Sequence, residues 1–349
     1  TNYNDAPTSY TVESETIVLG TPTKNGYTFA GWYDSSTGGN KVTQIAQGST
    51  GDVTLYARWT ANTDTPYTVK HYQQNIEDDS YTLKDTENLT GTTDTTADAI
   101  AKNYTGFSEN TTHSDRKASG IIAADGSLVL KLYYDRDTYT VSYNSNGGPT
   151  VSDTTGVRYE ATIAEPDEPE RLGYTFDSWY KDAGLNTAWD FVADKVTADI
   201  TLYAKWTANI DTPYTVKHYQ QNIKDDNYTL KDTENLTGTT DTTATATAKD
   251  YTGFSENTTH SDRKASGVIA ADGSLILSLY YDRNTYTVNF NSNSGSPVSD
   301  MTGVRFEATI AEPDEPDREG YTFASWYKDA GLNTAWDFVA DKVTADITL

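Results

Sequence analysis

The residues in this chain whose types could do chemistry are few, and they come in pairs. The four histidines are two positions repeated, His71 with His218 and His113 with His260. His71 shares strand parity with Tyr67 and Val69, which suits a packed or edge histidine better than a metal ligand. His113 lies between Asn110-Thr-Thr and Ser114-Asp-Arg and reads as a solvated loop residue. A metal site wants two or three ligands at defined spacing, and no single repeat supplies them. There are no cysteines, which removes disulfides, thiolate metal sites and cysteine nucleophiles. No HExxH, GxSxG, Walker A or GxGxxG pattern occurs, so nothing points to an enzyme or to an organic cofactor.

Other groups offer weaker chemistry. Three acidic runs, Glu77-Asp-Asp79, Glu165-Pro-Asp-Glu-Pro-Glu170 and Glu312-Pro-Asp-Glu-Pro-Asp317, present hard oxygens. Calcium is the ion they would suit, although none matches an EF-hand loop and solvated charge explains them more simply. A Lys-to-Asn isopeptide link needs both partners buried with an acid. Lys131 alternates with Leu130 and Leu132, so it should face water, and Ser278 replaces it in the second copy. Asn88, Asn103 and Asn110 fit N-x-[ST], a chance match in a Thr-rich chain. Tyr72 and Tyr133, with their repeats Tyr219 and Tyr280, fall on the face opposite the apolar row. Exposed there, they would be glycan contacts by ring stacking; packing against a second layer is the competing reading.

What positions these residues is a repeat. Pro66 and Pro213 each open Pro-Tyr-Thr-Val-Lys-His-Tyr, Trp59 and Trp206 each close a Thr-Leu-Tyr-Ala-(Arg/Lys)-Trp, and both pairs lie 147 residues apart. The cassette has two unlike halves in the order A′–B–A–B–A. The expected modules are 1–59 (a diverged half A lacking its first strand), 67–136 (B), 138–206 (A), 214–283 (B) and 285–349 (A). The last one stops just before the expected Tyr-Ala-Lys-Trp. The chain begins and ends inside repeat units and so reads as a fragment. The A-to-B linkers 60–66 and 207–213 are short, polar and Pro-terminated, as expected of hinges with limited freedom. From B to A, one strand runs almost directly into the next.

Periodicity supplies a coarse structure. Tyr139, Val141 and Tyr143 alternate with polar residues, as do Leu128, Leu130, Leu132 and Tyr134 with their neighbours; both are period-two strands. Asn146-Gly-Gly-Pro149 and Ala124-Asp-Gly126 are turns. A second strand is expected at 158–163. Trp179 falls out of phase in its strand, which suggests a bulge. Segment 95–102 is the plausible short helix, with a weaker copy at 242–249, and 188–192 could be helical or extended. The expected class is therefore mainly β with short helices, an α+β fold in a tandem array of small modules forming an elongated, monomeric rod.

Composition fits that picture. Of 349 residues, 36% are hydrophobic but 12% are aromatic, including 26 Tyr and 7 Trp. Modules of about 70 residues cannot build a generous aliphatic core, and large rings with polar tips compensate. With 26 Lys and Arg against 51 Asp and Glu, the net charge is −25, which repels nucleic-acid phosphates and anionic lipid. No apolar run is long enough to span a membrane. Small modules without disulfides favour a bacterial origin.

Half A resembles the Listeria–Bacteroides repeat, also called the internalin B-type B-repeat, through Tyr139-Thr-Val-Ser-Tyr-Asn-Ser-Asn-Gly-Gly148, Gly173-Tyr-Thr-Phe-Asp-Ser-Trp-Tyr180, Trp189-Asp-Phe191 and Thr201-Leu-Tyr-Ala-Lys-Trp206. Half B looks like a MucBP-type (mucin-binding protein) repeat through Tyr67-Thr-Val-Lys-His-Tyr72, Tyr104-Thr-Gly-Phe107 and Gly126-Ser-Leu-Val-Leu-Lys-Leu-Tyr-Tyr-Asp135. The resemblance implies β-grasp (ubiquitin-like) modules on a bacterial cell-surface, usually cell-wall-anchored, adhesin. It implies a structural stalk that projects a distal domain, or direct adhesion to host mucin glycans or surface proteins, and no catalysis.

Overall fold

The computed structural model describes residues 7–349; the first six residues of the 1–59 block lie outside it. The chain forms two compact units. One runs through Asn144 and takes in Val151–Pro166 and Lys181–Leu202; the other comprises Ser145–Thr150, Asp167–Tyr180 and Tyr203–Leu349.

Each half B is built on one four-stranded sheet. In the first copy Thr65–Gln74 pairs antiparallel with Tyr81–Gly91 on one side and parallel with Val129–Arg136 on the other; Phe107–Glu109 adds to the far edge. The second copy repeats this order with Thr212–Gln221, Tyr228–Gly238, Ile276–Arg283 and Phe254–Glu256. The pleat sends Val69, His71, Leu130 and Leu132 to one face, where all four are fully buried. A second, two-stranded layer covers that face and contributes Ala97 and Ile122 to the core with Val69, Leu128 and Leu130. This aliphatic core is small, as expected for so short a block.

In half A, Tyr174–Tyr180 pairs antiparallel with Ile200–Ala208, and the register slips between Phe176 and Ser178. That slip is the bulge that Trp179 signalled, and it turns the indole to the buried side. Thr138–Asn144 pairs antiparallel with Thr154–Arg158. The second strand therefore ends where the sequence placed its beginning: Glu160 takes a left-handed φ of 65° and breaks the extension. In the last block the core is aromatic, with Phe290, Trp326 and Trp336 around Val288, Ile310, Val343 and Leu349.

The class expected from sequence needs correction. The described residues contain no helix, so the fold is all-β rather than α+β, and a β-grasp description, which requires a helix laid across the sheet, does not apply. Segment 95–102 contains the strand Thr96–Asp98, paired with Ser119–Ile121, and Ala97 is buried between the layers. Thr243–Thr245 does the same in the second copy. β-branched threonines and a cross-strand partner outweigh the weak helix propensity of these segments. Segment 188–192 is a turn: the Asp190 carboxylate accepts from the Val192 and Ala193 amides while Trp189 is buried.

Candidate functional site: the joints between repeat halves

With no helix to provide a cleft, the most elaborate polar geometry lies where one half meets the next. At the first A-to-B joint, the Asn25-Gly26 turn brings Gly26 to a φ of 73°, and a side chain there would come within 2.7 Å of Ala124 Cα. The Gly26 carbonyl accepts from Thr93 Oγ1 at 2.8 Å and from the Asn62 amide at 2.9 Å. Thr93 Oγ1 is also 2.7 Å from buried Thr65 Oγ1, and Thr28 Oγ1 donates to the Asn62 side chain at 2.8 Å. Tyr27 donates its phenol proton to Asp94, and Lys24 lies 3.5 Å above the Tyr27 ring.

The second A-to-B joint repeats each contact. Gly173 O accepts from Thr240 Oγ1 and the Asn209 amide, both at 2.9 Å; Thr175 bonds Asn209; Tyr174 donates to Asp241; and Arg171 covers Tyr174 at 3.8 Å. The linkers are thus not hinges. Thr60 and Ala61 complete the strand Tyr56–Ala61, and Thr65 and Pro66 begin the next, so only 62–64 lie between them. Hydrogen bonding from both sides removes the freedom that a polar linker suggests.

At the B-to-A joint, Arg136 reaches back to Gln74 O at 2.9 Å and forward to Tyr159 O at 2.7 Å. Arg158 reaches back to Ile76 O and Asp78 O at 2.9 and 2.8 Å and pairs with Asp79. Gly106 lies flat against the Tyr159 ring, where a Cβ would sit 2.2 Å from it. Arg283, Arg305, Gly253 and Phe306 reproduce the set. One acidic run, Glu77-Asp-Asp79, is therefore engaged in the joint, whereas Glu165, Asp167, Glu168 and Glu170 are exposed. Among the described residues no group of three or more His, Asp or Glu is placed to hold a metal ion.

The four tyrosines singled out for glycans stack in pairs: Tyr72 on Tyr133 at 5.0 Å and 12°, and Tyr219 on Tyr280 at 5.0 Å and 11°. Tyr133 does not offer an open face. His113 stacks on its other side at 3.7 Å and 7°, Tyr81 meets it edge-on, and Tyr133 is buried. His260 does the same to Tyr280 at 3.8 Å. The loop histidine, read as solvated, is thus the lid of an aromatic stack. Asn110, one of the sequon asparagines, spends its amide on both oxygens of Asp135, at 3.0 Å each.

Sequence reasoning missed one network. His71 is fully buried, with Nδ1 2.9 Å from Tyr134 Oη. That hydroxyl also accepts from the Lys102 amide at 2.9 Å, and the arrangement that satisfies all three groups has its own proton pointing to His71. Nδ1 is then the acceptor and the ring proton sits on Nε2. In the second copy His218 Nε2 is 2.8 Å from Glu234; in the first, Nε2 is 3.6 Å from Glu87, too long for a hydrogen bond. Lys102 bridges Asp85 and Glu87, and its hydrogen bonds hold both carboxyls below their ordinary range while raising the lysine. The sequence signal was available: His71, Asp85, Glu87, Lys102 and Tyr134 all recur at the same offset.

The arrangement defines an all-β tandem repeat in which two unlike halves alternate and each of the two kinds of joint is closed by its own contacts, repeated in both copies. The Listeria-Bacteroides repeat domain matches residues 1–58, 139–205 and 286–349, more than half of the chain, and the chain belongs to that family. It is 29% identical over its whole length to a putative Gly-rich membrane protein of Evansella cellulosilytica, covering 41% of that protein. It is 34% identical over 64% of its length to a putative membrane protein of the same organism, covering 32% of it. Internalin H of Listeria monocytogenes is 27% identical over 55% of the chain, which covers 21% of that protein. The chain spans less than half the length of each of these relatives. No helix among the described residues is long and apolar enough to cross a membrane.

Proposed function

We propose that this chain is a spacer segment of a bacterial cell-surface protein, holding a distal functional part away from a cell wall to which other regions anchor it. The observation that carries this reading is the duplication of the joint contacts. A free linker would tolerate divergence, whereas Tyr27–Asp94 and Tyr174–Asp241, with Gly26 and Gly173 under them, are kept in both copies. The likeness to internalin H and to two membrane proteins supports the surface setting. The five sequence blocks act as the modules of the spacer, and the alternation of unlike halves limits pairing between neighbours, a hazard of repeat arrays.

The test is the Gly173→Val variant of the full chain. A side chain at φ 76°, 2.7 Å from Ala271, forces the joint apart. The parent should resist subtilisin at 207–213 and protect the Asn209 and Thr240 amides from exchange; the variant should lose both while the sheets stay protected. Ready cleavage of the parent at 207–213 would remove the spacer reading.

A second reading is direct adhesion through the MucBP-like half B. The half-buried Tyr72 and Tyr219 rings favour it, since weak sites in two copies gain by multivalency. Only Tyr72 and Tyr219 keep a ring face outside the stack with His113 or His260. A mucin-glycan array probed with the chain and with Tyr72→Ala/Tyr219→Ala decides it: no binding by the parent, or equal binding by the variant, removes this reading and leaves the spacer.

A further inference from the structure

The order of strands in half B fixes how the block meets a pull along the chain. The strand by which the chain enters, Thr65–Gln74, and the strand by which it leaves, Val129–Arg136, are the two central neighbours of the sheet. They pair parallel through six successive residue pairs, from Thr68 with Val129 to Gln73 with Tyr134. Because both run the same way, the entry point Thr65 and the exit point Arg136 lie at opposite ends of the pair. Tension through the flanking chain therefore draws the two strands lengthwise past each other. The bonds of a parallel ladder are evenly spaced, so in that geometry the whole ladder carries the load at once. A pull across the strands would open the same ladder one bond at a time.

Little slack separates the load from the ladder. Residues 62–64 alone divide Thr65 from the preceding strand, and Asp137 alone divides Arg136 from the strand Thr138–Asn144. Contacts on both faces oppose sliding. On the inner face Tyr134 Oη is bonded to His71 Nδ1 at 2.9 Å, and Val69, Leu130 and Leu132 are fully buried. On the outer face Tyr72 and Tyr133 stack at 5.0 Å, with His113 against the far side of Tyr133 at 3.7 Å. At the exit end Arg136 is tied to Gln74 twice: its amide donates to the side-chain oxygen at 3.0 Å and its Nε to the carbonyl at 2.9 Å. A slip of one residue turns every side chain of a strand to the opposite face, so these contacts must break before a new register can form. The second copy repeats the arrangement, with the ladder from Thr215 and Ile276 to Gln220 and Tyr281, His218 on Tyr281, Tyr219 on Tyr280, and Arg283 on Gln221.

We propose that each half B is a load-bearing clamp, a block that keeps its fold under tension applied along the chain. The clamp is the parallel pair Thr65–Gln74 and Val129–Arg136, and the row of rings Tyr72, Tyr133 and His113 resists its sliding. This rests on the spacer reading, which supplies the pull: drag on a part held away from a wall passes through every block between them.

The test is directional pulling of single molecules in an optical trap. The chain has no cysteine, so pairs of cysteine handles can be set in all 349 residues of it, and only the residues between the handles are stretched. Handles at exposed Thr63 and Thr138 load the strand pair lengthwise. Handles at exposed Thr63 and Asp125 load it crosswise, because the 124–126 turn sits at the entry end, where a Cβ on Gly126 would be 2.8 Å from Pro66. At equal force, unfolding through Thr63→Cys/Thr138→Cys should be at least about a hundredfold slower than through Thr63→Cys/Asp125→Cys, the scale for breaking several backbone bonds together instead of singly. Tyr72→Ala should speed lengthwise unfolding more than crosswise unfolding; equal acceleration would overturn the part assigned to the ring row. Equal rates in the two directions, or faster lengthwise unfolding, would overturn the clamp and leave a passive spacer with its linkers still protected. Cleavage of the parent at 207–213 would instead remove the spacer reading and with it the source of the load.

Discussion

Replacing Tyr134 by Phe removes one oxygen from the centre of half B and leaves the ring in place. Two partners lose their bond at once: buried His71 Nδ1 loses its donor at 2.9 Å, and the half-buried Lys102 amide loses its acceptor at 2.9 Å. The edge-on packing of the ring against Tyr104 at 5.0 Å survives, so the loss belongs to the hydroxyl. Each orphaned buried group costs about 1–3 kcal/mol. Allowing for partial relaxation, the block should lose about 2–4 kcal/mol, a large part of the margin of a small domain. Amide exchange resolves this by region: protection across Thr65–Gln74 and Val129–Arg136 should fall about 30- to 1,000-fold. The matching hydroxyl contact between Tyr281 and His218 serves as a control in the same molecule and should not change. Nitrogen chemical shifts of the His71 ring should report the Nε2–H tautomer in the parent. A Tyr134→Phe change of less than about threefold (~0.6 kcal/mol), or an Nδ1–H tautomer in the parent, would refute the proton assignment on which this rests.

Two further outcomes follow from the ion pairs beside this network. Hydrogen bonds from Lys102 lower Asp85 and Glu87 in the folded chain from ordinary values of 3.8 and 4.5. Their stabilisation is thus complete above those values and is lost as the pH falls through the depressed ones; unfolding measured from pH 6 down to about pH 2 should show half B loosening at the acid end, and Asp85→Asn/Glu87→Gln should flatten that dependence. The raised lysine works in the same sense, giving up its share only as the pH climbs far into the alkaline range. Because Lys102 stays a charged partner of Asp85 and not an amide, intact mass spectrometry should return the mass of the unmodified sequence; a deficit of one water per pair would contradict the ion-pair reading.

Much of the fold was legible because period-two patterns have few interpretations. Leu128, Leu130 and Leu132, Val141 and Tyr143, and the out-of-phase Trp179 all went where alternation placed them. The expected helix at 95–102 failed because local propensity there is weak in both directions, and the strand Ser119–Ile121 decided between them. Tyr133 failed as an open platform for a similar reason: its parity was read correctly, but parity says nothing about a loop histidine folding back over the ring.

The sequence alone determined the 147-residue cassette, its two unlike halves, the dominance of strands and the lack of any thiol chemistry, since these follow from identity, periodicity and composition. Only the tertiary structure decided that the polar linkers are locked, that His71 is buried against Tyr134, and that a loop histidine closes over Tyr133. The physical reason is that each of these depends on which backbone carbonyl or ring face a distant residue finds as its partner. Thr93 bonds the Gly26 carbonyl and Asp94 bonds the Tyr27 hydroxyl, each across 67 positions of the chain.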